Sequence, residues 1–121
     1  VMQAKAAGVP IICSMGAGNK LDPSRFEVAD LYETSVCPLA RVMRAECRKR
    51  GVDHLKVVYS KEPPLAPIAE EKTEETAPAG APARPGTPKK RAPGSVAFVP
   101  SAAGLVLAGE VIRDLSGVSQ K

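Results

Sequence analysis

A short apolar run that leads into a glycine-containing turn is the feature that most constrains the fold of this chain. Residues 10–26 read PIICSMGAGNKLDPSRF, in which Pro10–Cys13 is apolar and glycines follow at positions 16 and 18. A buried strand that ends in a glycine loop is typical of α/β proteins, which place ligands beyond the carboxyl ends of their strands. The stretch therefore predicts an α/β fold with a ligand-facing loop after this strand.

The loop itself carries the candidate substrate-binding residues. Glycines at this point let the backbone adopt a positive φ or approach a ligand closely, and the amide and ammonium side chains that follow supply hydrogen-bond donors. The sequence GAGNK lacks the spacing of a phosphate-binding P-loop and of a dinucleotide site, so a tight structural turn is the alternative interpretation. We predict that the substrate-binding residues are Gly16, Gly18, Asn19 and Lys20.

Hydrophobic periodicity and turn residues predict that helices alternate with strands along the chain. Residues 1–8 end in a glycine and are followed by a proline, which is typical of a helix end before a strand. Because the start of that helix is missing from the sequence, we expect the chain to be a fragment of a longer protein. The other predicted elements are strands at 10–13, 25–30, 54–60 and 95–99, a turn at 22–24, and helices at 34–50 and 102–115.

The predicted helix over residues 34–50 has an apolar face and a basic edge. Its apolar face comprises Leu39, Val42, Met43 and Cys47. Its basic edge comprises Arg41, Arg44 and Arg48, whose spacing of i, i+3 and i+7 places three guanidinium groups along one side. A solvated face whose cations complement the helix macrodipole is one interpretation. Contacts from these arginines to nucleic-acid phosphates, which require no base recognition, are the other.

Composition changes abruptly between residues 62 and 94. Most of the twelve prolines lie here, and acidic residues give way to a basic cluster at Lys89–Arg91. Such a segment cannot bury enough apolar surface to offset its chain entropy, so we predict a disordered linker. The predicted organisation is an α/β lobe at 1–61, the linker at 62–94, and a returning strand and C-terminal helix of the same domain at 95–121.

Charge and cysteine content limit the possible partners and compartments. The net charge of +4 and the pI of about 9.1 permit an anionic partner. Three cysteines without a CxxC pair argue against a zinc site and a disulfide scaffold, so we expect no metal site and a cytoplasmic location. The uncharged run at 95–109 is shorter than the roughly 20 residues that span a bilayer, so we predict no membrane partner.

The residues alone do not form a complete catalytic constellation. His54 is the single histidine and follows Asp53 at the start of a predicted strand, where it is typically a surface or capping residue. Cys37 precedes Pro38 at a predicted helix N-terminus, where the helix dipole would stabilise a thiolate. Cys13 and Cys47 fall on predicted core positions and are expected to be inert. We therefore leave the catalytic residues unassigned.

Three blocks of the sequence resemble the ThiF/MoeB/HesA superfamily of ubiquitin-activating-type adenylating enzymes. In order, the blocks are ICSMGAGNKLDPSRFEVADLYETSVCPLARVMRAECRKRGV, LKVVYSKEPP and GSVAFVPSAAGLVLAGEVIRDL. Within the superfamily the chain is most similar to the bacterial tRNA threonylcarbamoyladenosine dehydratases, and it resembles their C-terminal half only. The resemblance implies the C-terminal part of a Rossmann-like sheet with covering helices, which is incomplete without an N-terminal nucleotide-binding half.

The resemblance also implies a function for the full-length protein. Enzymes of this kind use ATP and Mg²⁺ to convert a carboxylate into an acyl-adenylate, and the dehydratases cyclise threonylcarbamoyladenosine in tRNA as homodimers. The nucleotide-binding residues of the family precede Val1, so none is assigned here and the fragment is expected to be inactive. By the same resemblance, Met15–Lys20 would form part of the substrate side, and the basic edge of Arg41, Arg44 and Arg48 would face the tRNA.

A second class of function remains open from the sequence. A relative of these enzymes could activate, or act as a scaffold for, the C-terminal tail of a ubiquitin-like or sulfur-carrier protein. That branch often carries zinc-type cysteines, which this chain lacks. Some relatives form a thioester on a cysteine of the crossover loop, but residues 62–94 contain no cysteine. These features favour the tRNA enzyme.

Overall fold

The computed structural model describes residues 1–68 and 92–118 of the chain. Its elements alternate between helix and strand, as the periodicity predicts. In chain order they are α1 (Met2–Ala7), β1 (Ile12–Ser14), a 3-10 turn (Pro23–Arg25), β2 (Phe26–Asp30), a second 3-10 turn (Leu31–Glu33), α2 (Pro38–Lys49), β3 (Lys56–Ser60) and α3 (Phe98–Ser116).

The three strands form one mixed sheet in the order β1-β3-β2. β3 lies in the centre, parallel to β1, with Cys13 opposite Val57, and antiparallel to β2, with Val28 opposite Val58. The parallel pair is joined by a long crossover that contains α2, as parallel strands require. The prediction of a partial α/β fold is therefore confirmed.

Both faces of the central strand are covered. Val57 and Tyr59 belong to the core cluster on the α2 side, together with residues from the loops on either side of that helix. The alternate residues Val58 and Ser60 are fully buried and point to the α3 side, where α3 contacts all three strands. This burial on both sides explains why β3 is a continuous apolar run rather than an alternating one.

The predicted helix at 34–50 is shorter in the structure, because α2 begins at Pro38. Thr34 and Ser35 do not cap it; Cys37 occupies the N-cap position without a side-chain hydrogen bond. Proline suits the first turn of a helix, since its missing N–H would have no intrahelical partner there. The buried face also differs from the prediction: Ala40 and Cys47 are buried, whereas Leu39 and Val42 are exposed.

The predicted strand at 95–99 is wrong. No strand is found between residues 92 and 118, and α3 instead begins at Phe98 and includes Pro100 in its first turn. The predicted strand ends just before Pro100, but a proline is also tolerated in the first turn of a helix, where no N–H donor is needed. The returning element is therefore a single helix that packs Val99 and Ala103 against the sheet.

An ion-pair cluster fixes the C-terminal half of α3 to the sheet. Lys56 Nζ on β3 lies 2.7 Å from Glu110 Oε1 and 2.8 Å from Asp114 Oδ2. Hydrogen bonds to Asp114 and then Glu110 raise the pKa of Lys56, and the same contact with Lys56 is the main cause that lowers the pKa of Glu110. Lys56 and Glu110 therefore stabilise each other's charged forms.

The predicted linker is ordered at both of the ends that the structure describes. Glu62 is 7% exposed, and residues 64, 65, 93 and 94 contact the loop after β1. Residues 62, 65, 93 and 94 thus contact the folded domain, and residues 69–91 of the predicted linker lie outside the described residues. Among the described helices, none combines the length and the apolar character needed to cross a membrane.

Candidate functional site

The loop after β1 and the N-terminus of α2 enclose a small crevice. Its volume is about 300 Å³. Residues of the loop form one side, the first turn of α2 forms the other, and two prolines from the flanks of the predicted linker complete it. The lining residues are Gly16, Gly18, Asn19, Lys20, Cys37, Pro38, Leu39, Pro64 and Pro93. The structure therefore brings all four predicted substrate-binding residues to one concave surface at the carboxyl end of β1.

Of the two loop glycines, Gly18 is required by close packing, and neither is required by a positive φ. Neither Gly16 nor Gly18 has a positive φ; Asn19 has instead, at 57°. A Cβ at Gly16 would lie 3.7 Å from Leu39 Cβ and 3.8 Å from Cys37 Sγ, which are ordinary contacts. A Cβ at Gly18 would lie only 2.9 Å from Pro93 Cβ, so the absence of a side chain there is required for packing.

The polar groups of Asn19 and Lys20 bind other parts of the chain. The Asn19 N–H donates to Gly94 O over 2.9 Å, and the Gly94 N–H donates to Asn19 Oδ1 over 2.8 Å. Lys20 is 4% exposed, and its ammonium group donates to Glu62 O over 2.9 Å. Because an ammonium group has three donors, this bond leaves Lys20 able to donate into the crevice that it lines.

Glu62 supports the loop, although the sequence placed it in the linker. Its carboxylate accepts hydrogen bonds from the Leu21 N–H and the Asp22 N–H, each over 2.9 Å. Its own N–H donates to Ser60 Oγ over 3.1 Å. A buried carboxylate that accepts several backbone N–H bonds is a strong local restraint. The one sequence signal for this role is that Glu62 follows β3 by two residues.

Val36 is a second residue that the sequence did not indicate. Its φ is +68°, a left-handed conformation that β-branched residues rarely adopt. It lies at the centre of a three-residue turn, which the Cys37 N–H closes by donating to Ser35 O over 2.7 Å. The turn directs Cys37 and the start of α2 toward the crevice. Backbone strain of this kind is typically found next to functional sites.

The three cysteines differ in their surroundings. Cys37 lies at the N-terminus of α2, as its position before Pro38 predicts. Its side chain is buried, and the residue lines the crevice. Cys47 is buried in the core, and Cys13 is partly buried in β1, where desolvation raises the pKa of its thiol. All three are free thiols. Of the three, only Cys37 lies at the crevice.

The predicted basic edge of α2 is divided between structural and exposed arginines. The Arg44 guanidinium donates to Thr34 O over 3.0 Å and to the Thr34 hydroxyl, and so fixes the loop before α2. Arg48 lies with its guanidinium carbon 5.1 Å from the centre of the Tyr32 ring. Arg41 is exposed and makes no hydrogen bond or ion pair with the residues that the structure describes. Arg41 is therefore the arginine best placed to bind an external anion.

Arg41 borders a groove that adjoins the crevice. The groove has a volume of about 660 Å³ and is lined by the outer side of the first turns of α2, including Val36, Val42 and Arg44. Cys37 and Pro38 line both the groove and the crevice. The two concave surfaces therefore meet at the N-terminus of α2.

The described residues do not provide a site for a metal ion. Between residues 1 and 68 and between 92 and 118, no three His, Cys, Asp or Glu side chains converge as ligands. His54 Nδ1 lies 2.7 Å from Asp53 Oδ1 on the exposed surface, away from the crevice. The Mg²⁺ that the family resemblance implies thus finds no fitting ligand set among the described residues.

Comparison with proteins of known function finds related sequences. Over 108 residues, which are 88% of the chain, the sequence is 43% identical to the tRNA threonylcarbamoyladenosine dehydratase of Bacillus subtilis. The chain thus resembles this dehydratase over most of its own length. A second relative, tRNA threonylcarbamoyladenosine dehydratase 2 of Saccharomyces cerevisiae, is 42% identical over 74 residues. The chain matches no protein-family model.

The chain spans about two fifths of the length of this dehydratase from B. subtilis, namely 41%. The match confirms the resemblance drawn from the sequence, including its partial extent. The position of the matched region in the C-terminal half stays a prediction.

Solved structures show the same fold. The Escherichia coli tRNA N6-threonylcarbamoyladenosine dehydratase, TcdA, has a TM-score of 0.71 and 18% identity, with 97% of this chain and 42% of that chain covered. A second structure of that enzyme was solved in complex with ATP, and its TM-score is 0.67 at 19% identity, over 95% of this chain and 41% of that one. At these identities the likeness establishes the fold of the chain.

Proposed function

We propose that the full-length protein is an ATP-dependent tRNA threonylcarbamoyladenosine dehydratase, to which this chain contributes the substrate side. The 43% identity to the B. subtilis dehydratase over 108 residues is the observation that carries the proposal. The complexes of the E. coli enzyme with AMP and ATP support the use of ATP. These relatives and a second dehydratase of S. cerevisiae, tRNA threonylcarbamoyladenosine dehydratase 1, favour this proposal over the alternative of a carrier-protein activator.

The chemistry follows from the poor leaving ability of a carboxylate oxygen. ATP transfers its adenylyl group to the carboxylate of the threonylcarbamoyl group, and pyrophosphate leaves. A nucleophile of the same modified nucleoside then attacks the activated carbonyl carbon, loses its proton and expels AMP. The ring closes with the net loss of one water from the nucleoside. The protein must therefore hold a modified nucleoside, while ATP and Mg²⁺ are bound by parts of the enzyme outside this chain.

The crevice is the part of this chain best suited to the substrate side. It lies at the carboxyl end of β1, where α/β proteins bind ligands. Its interior combines an apolar wall, formed by Leu39 and Pro64, with the buried ammonium group of Lys20. We propose that Gly16 and Leu39 contact the modified nucleoside and that Lys20 attracts its anionic groups. Gly18 and Asn19 shape the crevice by binding Pro93 and Gly94.

The groove beside the crevice provides a path for the rest of the tRNA. Because Cys37 and Pro38 line both surfaces, an RNA strand that enters the crevice would pass the exposed guanidinium of Arg41. Arg48 adds positive charge on the same helix. We further propose that the enzyme is a homodimer located in the cytoplasm. The three free thiols support a reducing compartment. Sedimentation equilibrium of the full-length enzyme tests the homodimer, and a monomer would contradict it.

The proposed activity is tested with the full-length enzyme and tRNA that carries threonylcarbamoyladenosine. We expect ATP-dependent conversion to a nucleoside that is lighter by one water, detected by mass spectrometry after digestion of the tRNA. A reaction without ATP is the control. The proposal fails if the nucleoside is unchanged while a sulfur-carrier protein is adenylated under the same conditions.

A further inference from the structure

Asn19 connects two segments that are distant in the sequence. The Leu65 N–H donates to Asn19 O over 2.8 Å, and the Asn19 N–H donates to Gly94 O over 2.9 Å. The side chain adds a third bond, because the Gly94 N–H donates to Asn19 Oδ1 over 2.8 Å. One residue therefore binds both flanks of the connection between β3 and α3, part of which lies outside the described residues.

The backbone of Asn19 explains why this residue type occupies the position. Its φ of 57° lies in the left-handed region, which asparagine, aspartate and glycine tolerate better than other residues. Glycine would allow the conformation but would provide no side-chain acceptor for Gly94. Asparagine satisfies both requirements, and aspartate is the one common replacement that would do the same.

Neighbouring contacts bring the same two flanks to the loop. Lys20 donates to Glu62 O, and the Glu62 carboxylate accepts from the Leu21 N–H and the Asp22 N–H, so three consecutive loop residues bind Glu62 of the first flank. On the second flank, Pro93 packs so closely on Gly18 that no Cβ would fit there. The result is that Pro64 and Pro93 form one wall of the crevice.

We propose that Asn19 is a positioning residue that sets the width of the crevice by holding these two flanks together. The inference rests on the proposed function, in which the crevice receives the modified nucleoside of the tRNA. Loss of the side-chain bond would leave Gly94 held only by the Asn19 N–H and so loosen Pro93, while the core of the sheet and the ATP-binding part of the enzyme would be unaffected. The effect should therefore fall on tRNA binding.

The test compares Asn19→Gly with Asn19→Asp in the full-length enzyme. Asn19→Gly keeps the left-handed backbone and removes the acceptor, whereas Asn19→Asp keeps both. For Asn19→Gly we expect the KM for modified tRNA to rise about threefold to tenfold, the range expected for one lost hydrogen bond. The KM for ATP and the kcat should stay within about twofold of the wild-type values. The unfolding temperature should change by no more than a few degrees. Asn19→Asp keeps the acceptor, so amide exchange at Gly94 in this variant should match the wild type.

A measurement without substrate tests the contact itself. Amide hydrogen exchange followed by NMR should show faster exchange at Gly94 in Asn19→Gly, and unchanged exchange at Leu65, whose acceptor is the Asn19 backbone. The inference is overturned if Gly94 exchange does not change, or if it accelerates while the KM for tRNA stays at the wild-type value. An inactive wild-type enzyme would instead overturn the proposed function, so the two failures can be told apart.

Discussion

Gly16 and Gly18 are two residues apart in the same loop, yet their surroundings impose different requirements. A Cβ at Gly16 would make ordinary contacts with the first turn of α2, whereas a Cβ at Gly18 would overlap Pro93. Neither residue needs a positive φ, which Asn19 provides in their place. The loop is therefore shaped by close packing against a distant segment.

The two glycines give opposite predictions for substitution by alanine. Gly16→Ala should leave the free energy of unfolding within about 0.5 kcal/mol or raise it, since alanine restricts the unfolded chain. Gly18→Ala should lower it by about 1–3 kcal/mol, because Pro93 must move. Urea denaturation of both variants checks this pair. Equal losses of stability would contradict the close approach of Pro93 to Gly18.

The sequence indicated these loop residues but could not predict their partners. The pattern of an apolar run followed by glycines predicted the strand and the loop correctly. The partners of Gly18, Asn19 and Lys20 are Pro93, Gly94 and Glu62, which are about 40 to 75 positions away in the sequence. No local propensity encodes such contacts. The left-handed Val36 was equally unpredictable, since a β-branched residue disfavours that conformation.

At the scale of elements, α2 contributes to both concave surfaces. Its N-terminus closes the crevice, and its outer side carries Arg41 beside the groove. Periodicity predicted the helix and the arginine spacing. It did not predict that the Arg44 guanidinium donates a hydrogen bond to Thr34 O of the same chain. For α3, the pattern around Pro100 suggested a strand before the helix, because a proline in the first turn and a proline between elements look alike in sequence.

The structure singles out Arg41 for the test of tRNA binding. Arg41→Glu should weaken tRNA binding about threefold to tenfold and lower the salt dependence of the affinity by about one counterion. Lys49→Glu is the matched control, because Lys49 is on the same helix, is 71% exposed and is already paired with Glu46. Filter binding across a salt series measures both. Equal losses of tRNA affinity for the two variants would show that Arg41 contributes only non-specific charge.

At the scale of the whole molecule, the described residues form a partial fold. The outward side of α3 exposes Leu105, Ile112 and Leu115, and β1 has a strand neighbour on one side only among the described residues. The chain covers 41% of the B. subtilis dehydratase and 42% of the E. coli structure. These observations agree with a sheet that further polypeptide completes in the full-length protein.

The central claim is that the crevice binds the modified nucleoside of the tRNA and not ATP. One substitution tests it directly. Leu39 lines the crevice and is 45% exposed, so Leu39→Trp should fill the crevice without disturbing the core. Steady-state kinetics of the full-length variant should show a KM for modified tRNA that is raised about tenfold or more, with the KM for ATP unchanged. A raised KM for ATP with an unchanged KM for tRNA would contradict the account.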